Sequence, residues 1–127
     1  MIKGIGTDIV EINRIANSIE RTGERFINRI LTPHERQQLD QLNPEKHASF
    51  VAKRFAAKEA AVKALGTGIG SGVSFQHFTV VNLASGKPTL EVDAALSQRL
   101  DFDANWHLSL SDERDFALAF VTLEAKE

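Results

Sequence analysis

Two carboxylates and a lysine have the residue types that phosphate chemistry needs. Asp8 follows the stretch GIGT, and Glu59 precedes Lys63 by four residues within RFAAKEAAVKALGTGIG, residues 54–70. Mg²⁺ typically takes one or two protein carboxylates, keeps waters and completes its octahedron with substrate phosphates. As a pair, Asp8 and Glu59 therefore predict a Mg²⁺ site for a substrate with a diphosphate, which Lys63 and Arg54 would help to bind.

Each of these residues also has a purely structural explanation. A glutamate followed four residues later by a lysine is a common surface pair worth roughly 0.3 kcal/mol. An aspartate after a glycine-containing strand often caps a turn. The glycines of GTGIGSG follow a helix and lack the lysine of a Walker A loop, so they do not predict that kind of nucleotide site. Since the helix dipole is negative there, a bound phosphate would need nearby cations, for which Lys53 and Lys58 are also candidates.

Periodicity, capping residues and β-branched runs predict the elements that position these residues. In chain order they are a strand over 2–9, an amphipathic helix over 10–31 with a possible break at Gly23, a helix from the capping box at Thr32, a long helix from Asn43 to Leu65 that stops at Gly66, a hairpin over 73–83 and 89–92, a short helix over 93–100, and a hairpin over 107–111 and 116–123. Because the helices precede most strands, we predict an α+β fold, with helices packed on a small, mostly antiparallel sheet.

The long helix is built largely of alanine. Small side chains allow close approach to a backbone, and we expect a cofactor or a neighbouring subunit to lie against this helix.

Composition limits the function classes. The chain has 127 residues, of which 43% are hydrophobic and 25% charged, so one domain over residues 1–127 is expected. A net charge of -2 argues against nucleic-acid binding through phosphate neutralisation, and the absence of cysteine excludes a thiolate nucleophile. No stretch has the length of a membrane span, so we expect a soluble, cytoplasmic protein with no membrane contact.

Four arginines lie along the first predicted helix, and by themselves they are explained as solvated charges opposite an apolar face. They are Arg14, Arg21, Arg25 and Arg29.

Four stretches of the chain resemble the holo-acyl-carrier-protein synthases, the short-chain class of the 4'-phosphopantetheinyl transferase superfamily. They are GIGTDIVEI at 4–12, RFAAKEAAVKALGTGIG at 54–70, GKP at 86–88 and HLSLSDERDFALAFV at 107–121. The resemblance implies a Mg²⁺-dependent transfer of the phosphopantetheine arm of coenzyme A to a serine of apo acyl carrier protein, releasing adenosine 3',5'-bisphosphate and serving fatty acid biosynthesis.

The resemblance also implies roles for individual residues. Asp8 and Glu59 would hold the metal, and Lys63 would lie near the diphosphate and share in catalysis. The nucleotide site would be lined by Arg54, Gly66, Thr67, Gly68, Lys87 and Pro88. The family docks its acidic carrier protein on the helix that contains Arg14, Arg21, Arg25 and Arg29, and it assembles as a homotrimer with active sites at subunit boundaries.

Two departures from the family bear on the metal, whose coordination sphere would take more waters, and on the general base, which is left open. Val10 stands where larger relatives have a further carboxylate, and Asp112 stands where many members have histidine. A metal-bound water, Asp8, Glu59 or Asp112 could accept the serine proton. Two rival hypotheses remain at this point: a non-catalytic module that binds acidic carrier domains, and a different Mg²⁺-dependent enzyme that uses coenzyme A or a nucleotide diphosphate.

Overall fold

The computed structural model describes residues 1–127 and contains five strands and five α-helices. In chain order they are β1 (Ile2–Glu11), α1 (Ile12–Thr22), α2 (Glu24–Ile30), α3 (Pro33–Asp40), α4 (His47–Leu65), β2 (Phe78–Asn82), β3 (Pro88–Val92), α5 (Ala94–Ser97), β4 (Ala104–Asp112) and β5 (Phe116–Ala125). Short 3₁₀ turns at Pro44–Lys46 and Phe75–His77 precede α4 and β2. The α+β fold class is confirmed.

The strands form two antiparallel sheets. A three-stranded sheet has the order β1-β5-β4, and β2 pairs with β3 in a separate hairpin. The register of β1 on β5 places Asp8 opposite Ala119, and β4 places Asp112 opposite Ala117. Both predicted hairpins are therefore confirmed, and the closing pair supplies two of the three strands of the larger sheet.

Helix α4 packs directly on β1 and β5 because small residues meet at the contact. A β-carbon on Gly4 would overlap the carbonyl oxygen of Ala64, and one on Gly6 would overlap that of Ala60. Ala60 is itself fully buried. The expectation that the alanines face a cofactor or another subunit is wrong for these residues, because they bring the helix against the protein's own sheet.

Glycines and a capping box lie at the helix ends where the sequence predicts them. Gly23, with a φ of 52°, separates α1 from α2, and Gly66, with a φ of 79°, ends α4 in the left-handed conformation. At the start of α3, Glu35 accepts hydrogen bonds from the backbone N–H and the hydroxyl of Thr32. The capping box is confirmed.

Several predicted boundaries differ from the structure; the short helix predicted over 93–100, for example, spans only Ala94–Ser97. Strand β1 continues to Glu11, so the first helix begins at Ile12 rather than Val10. The helix expected from Asn43 begins as a 3₁₀ turn and becomes α-helical at His47. The strand expected from Val73 begins only at Phe78, because a turn at the adjacent glycines and a 3₁₀ segment come first.

One face of the three-stranded sheet is not covered by this chain. The face toward α4 contains fully buried residues such as Ala119 and Val121. The opposite face exposes large apolar side chains, at 40–62% of their accessible surface: Ile5, Ile9, Phe116, Leu118 and Phe120. None of the helices is long and apolar enough to cross a membrane.

Candidate active site

Asp8 and Glu59 come together where β1 crosses α4. Asp8 lies on the same face of β1 as Gly6, two residues away, and that face packs on the turn of α4 that contains Ala60 and Glu59. Burial raises the pKa of Glu59, and the negative charge of Asp8 raises it further, while Lys63 and Arg29 lower it. Two carboxylates therefore repel each other at a partly buried point, which is a setting that favours a bound cation.

Lys63 binds Asp8 rather than its helical neighbour Glu59. Its Nζ lies 3.2 Å from Oδ1 of Asp8 and donates to the carbonyl oxygen of Thr7 at 2.9 Å. The side chain of Lys63 is 53% exposed, whereas that of Asp8 is 16% exposed. The simple surface pair of Glu59 and Lys63 is therefore not formed, and an exposed ammonium group stands beside the carboxylates.

The donor set at this point fits Mg²⁺ and does not fit zinc. Both donors are carboxylates, and nowhere in the chain do three His, Cys, Asp or Glu side chains group as they would around a metal held by protein alone. Val10, two residues beyond Asp8, is buried and apolar. Magnesium suits such a pair because it keeps waters and takes its remaining oxygens from substrate phosphates.

A cleft of about 590 Å³ extends from the two carboxylates to helix α1. Asp8 and Glu59 line it together with Arg14 and Arg21. Asn17 and Ser18 lie between the two arginines and also line the cleft; they were missed from the sequence, although the spacing 14, 17, 18 and 21 is one helical face. Phe26 and Phe55 supply apolar surface.

Arg25 and Arg29 do not line this cleft, although both are exposed. The guanidinium of Arg29 lies 5.5 Å from the ring centre of Phe75, a cation–π distance. Its charge also reaches Glu59, whose pKa it lowers. The four predicted arginines thus divide into two that line the cleft and two beside it on α2.

Arg54 lies in a second groove, of about 620 Å³, with two further cations, Lys46 and Lys53. It is 5% exposed and stacks on Phe50, with its guanidinium carbon 3.8 Å from the ring centre. Its buried Nε has no hydrogen-bond partner in the chain, and burial lowers its pKa. A buried cation with an unused donor at a basic groove is suited to an anionic ligand. Lys46 was missed, since one lysine before a helix has no distinctive spacing.

The other predicted nucleotide residues lie in two further places. Gly66 and Thr67 close the end of α4 with hydrogen bonds to Lys63 and Val62, so this turn, with Gly68 after it, adjoins the Lys63 end of the site. Lys87 and Pro88 line a cavity of about 190 Å³ with Trp106 and His107. Within one chain, the predicted residues do not share one pocket.

Two candidate residues have partners that argue against the predicted roles. Lys58 is fully buried and donates to Glu35 and to the carbonyl of Ile30, so it cannot bind a phosphate as the sequence suggested. Asp112 accepts from Ser49 at 3.4 Å and lies 3.7 Å from Nζ of Lys53. It is absent from the lining of the cleft of Asp8 and Glu59.

Comparisons with known proteins agree over the full chain. The model of the 4'-phosphopantetheinyl transferase superfamily matches residues 4–121. A holo-[acyl-carrier-protein] synthase from Marinomonas sp. is 66% identical and is covered in full by 99% of this chain. The solved holo-[acyl-carrier-protein] synthase of Neisseria meningitidis is 46% identical with a TM-score of 0.89, covering 98% of this chain and 99% of that one. The Bacillus anthracis enzyme in complex with CoA (3',5'-ADP) is 44% identical with a TM-score of 0.86, covering 99% of each chain.

Proposed function

This chain belongs to the 4'-phosphopantetheinyl transferase superfamily, and we propose that it transfers the 4'-phosphopantetheine arm of coenzyme A to a serine of an apo acyl carrier protein. The serine oxygen forms a bond to the β-phosphorus of coenzyme A, and the bond from that phosphorus to the bridging diphosphate oxygen breaks. Adenosine 3',5'-bisphosphate leaves, and the serine proton passes to a base. Residues 1–127 act as one transferase domain.

One observation supports this function above the rivals. The carboxylates Asp8 and Glu59 share a single cleft with Arg14 and Arg21. A carrier protein whose acidic surface meets these arginines would present its serine to the carboxylate site. A small-molecule enzyme would give the arginines no role, and an inert docking module would give the carboxylates none.

Asp8 and Glu59 would hold Mg²⁺, which when bound neutralises charge on the diphosphate oxygens and orients them. Lys63, exposed beside Asp8, would stabilise the phosphate of the departing nucleotide. Such charge stabilisation and positioning account for most of the catalysis of phosphoryl transfer. Asp112 is the weakest candidate for the base, since it lies outside the cleft; Asp8, Glu59 and a water remain.

The nucleotide end of coenzyme A would bind at the basic groove of Lys46, Lys53 and Arg54, at the turn of Gly66–Gly68, and at the cavity that Lys87 and Pro88 line. The groove and the cavity are separate within one chain, and the turn lines neither of them, which supports a site that is completed by a neighbouring protomer.

We propose a homotrimer for this reason and because of the bare face of the three-stranded sheet. Ile5, Ile9 and the three exposed side chains of β5 form an apolar surface on one face of the sheet, and such surfaces mark sites of protein contact. The protein is proposed to act in the cytoplasm, in fatty acid biosynthesis.

The arginine helices would dock the carrier. Arginine suits this task because its planar group pairs with carboxylates in two-point geometry and because complementary charge speeds encounter. Arg14 and Arg21 border the carboxylate cleft directly, while Arg25 and Arg29 extend the basic surface along α2.

The test is intact mass spectrometry of an apo acyl carrier protein incubated with coenzyme A, Mg²⁺ and this protein, beside a chelator control. We expect a metal-dependent gain of one phosphopantetheine on the carrier serine. Binding of carrier without any transfer would instead favour the inert module, and turnover without a protein acceptor would favour the other Mg²⁺ enzyme.

Charge reversal separates docking from chemistry. Arg14→Glu should raise the KM for carrier protein about tenfold or more and leave the KM for coenzyme A unchanged. Lys126→Glu is the matched control, because Lys126 is exposed, lies outside the cleft and forms no ion pair. Equal weakening of both substrates by Arg14→Glu would refute the docking assignment.

A further inference from the structure

The C-terminal carbonyl groups of α2 are all bound by side chains from elsewhere in the chain. Nε2 of Gln76 lies 2.9 Å from the carbonyl oxygen of Asn28, 3.3 Å from that of Arg29 and 2.8 Å from that of Leu31. Nζ of Lys58 donates to the remaining carbonyl, that of Ile30, at 2.7 Å. Such carbonyls have no partner within their own helix and usually bind water or a cap.

The Gln76 amide can serve this end of α2 in one orientation only. All three neighbouring atoms are carbonyl oxygens, so the nitrogen, with its two donors, must face them. Gln76 is itself exposed and belongs to the 3₁₀ turn before β2. The turn therefore binds α2 through a side chain that the fold does not need for its core.

The residue before Gln76 strengthens the same connection. The ring of Phe75 lies beneath the guanidinium of Arg29, and it packs on Phe55 of α4 with ring centres 5.6 Å apart. Phe55 lines the cleft that contains Glu59. A continuous set of contacts thus runs from an arginine of α2 to the wall of the carboxylate cleft.

Lys58 connects α2 more directly to α4, the helix that contains Glu59. It immediately precedes Glu59 in α4, and its ammonium group is held by Glu35 at 2.6 Å as well as by Ile30. Glu35 in turn accepts from the backbone N–H of Val80 in β2. The turn of α4 that contains Glu59 is therefore hydrogen-bonded to the last turn of α2.

We propose that Gln76 and Lys58 are positioning residues, which fix the carrier-docking helix α2 relative to Glu59; this rests on the proposed function. Transfer requires the carrier serine to arrive in line with the phosphorus, and small errors in placement cost large factors in rate. Arg25 and Arg29 hold the carrier only as precisely as α2 is itself held. Gln76 touches neither substrate and acts through α2.

Gln76 offers the sharper experiment, because an exposed side chain can be changed without disturbing the core. Gln76→Leu removes the donors at similar size. Gln76→Lys supplies three donors in place of two and places a positive charge at a helix C-terminus, where it is favourable. Gln37→Leu is the matched control, since Gln37 is an exposed glutamine on α3 with no hydrogen bond from its side chain.

The readouts are steady-state kinetics with carrier and coenzyme A varied separately, urea unfolding, and hydrogen exchange of the α2 amides without substrates. We expect Gln76→Leu to raise the KM for carrier about fivefold to tenfold and to speed exchange in α2. The KM for coenzyme A should stay within about twofold of wild type, and Gln76→Lys should restore both properties.

Kinetics of Gln76→Leu equal to those of Gln37→Leu would overturn the proposal, as would parallel losses for both substrates. If the wild-type protein modified no carrier, the proposed function would fail, and hydrogen exchange would still decide the structural claim. Equal exchange of α2 in Gln76→Leu and wild type would then refute the positioning role whatever the protein acts on.

Discussion

Replacement of Lys58 by methionine should cost this protein a large part of its stability. The side chains of Lys58 and Glu35 are both fully buried, and Nζ lies 2.6 Å from Oε1. Burial lowers the pKa of Lys58, and the adjacent carboxylate opposes that change. Lys58→Met leaves the Glu35 carboxylate without its cation, and it deprives the Ile30 carbonyl of a donor.

The magnitude follows from what remains around Glu35. Removing one partner of a buried ion pair costs about 3–5 kcal/mol. Glu35 keeps three donors, namely the N–H and hydroxyl of Thr32 and the N–H of Val80, so the lower end applies. The orphaned carbonyl of Ile30 adds about 1 kcal/mol. We therefore expect a loss of about 4 kcal/mol in the free energy of unfolding.

Urea unfolding at one fixed protein concentration measures this loss. With an m-value of about 2 kcal/mol per molar, the midpoint should fall by about 2 M. Lys126→Met is the control, since Lys126 is an exposed lysine that makes no ion pair, and it should change the free energy by less than about 0.5 kcal/mol.

A double variant tests the electrostatic reasoning itself. Glu35→Gln combined with Lys58→Met removes both charges and keeps an oxygen for one backbone N–H of the site. Its loss should be smaller than that of Lys58→Met alone, because no uncompensated charge stays buried. The account would be refuted if the double variant were less stable than Lys58→Met by as much free energy of unfolding as Glu35→Gln alone costs the wild type.

Further substitutions test three other features: the contact of β1 with α4, the carboxylate site and the bare sheet face. Gly6→Ala should prevent the protein from folding to a soluble form, because the new β-carbon would overlap the Ala60 carbonyl. Gly86→Ala is the control: the site has open space and a φ of 91°, so the free energy of unfolding in urea should fall by only about 1 kcal/mol. Glu59→Gln should abolish the rise in melting temperature on adding Mg²⁺ without destabilising the metal-free protein, because burial and Asp8 already raise the pKa of Glu59; a less stable metal-free variant would contradict this. Phe120→Ser should convert the proposed trimer to monomer in sedimentation velocity, and unchanged sedimentation would count against the sheet face as the interface.

Helix ends were predictable from sequence because they depend on chemistry within a few residues. Thr32 with Glu35 defines a capping box, and Gly23 and Gly66 adopt backbone conformations that glycine favours. The start of β2 was not predictable in this way. Val73 has strand propensity and is buried, yet the chain turns there because it pairs with Gly70 in a tight loop.

The burial of the charged residue Lys58 could not be predicted from the sequence either. In the sequence, Lys58 is one of several basic residues of the long helix, like Arg54 and Lys63. Nothing local indicates that its partner is Glu35, on another helix. For the site, the residue types and the family resemblance predicted the pairing of Asp8 with Glu59, and the structure brings them to one cleft. The separation of Arg54 from Lys87 depends on tertiary packing that no spacing reveals.

The glycine–alanine contact of β1 with α4 has a consequence for ion selectivity. Gly6 lies two residues before Asp8 on the same face of its strand, and Ala60 follows Glu59, so the approach of the two backbones sets how far apart the carboxylates stand. Magnesium requires oxygens at about 2.0–2.1 Å, whereas calcium accepts about 2.3–2.6 Å. At the proposed metal site, a wider gap between strand and helix would therefore favour the larger ion, so that Gly6 and Ala60, which have no donor atom in their side chains, would contribute to the choice of metal.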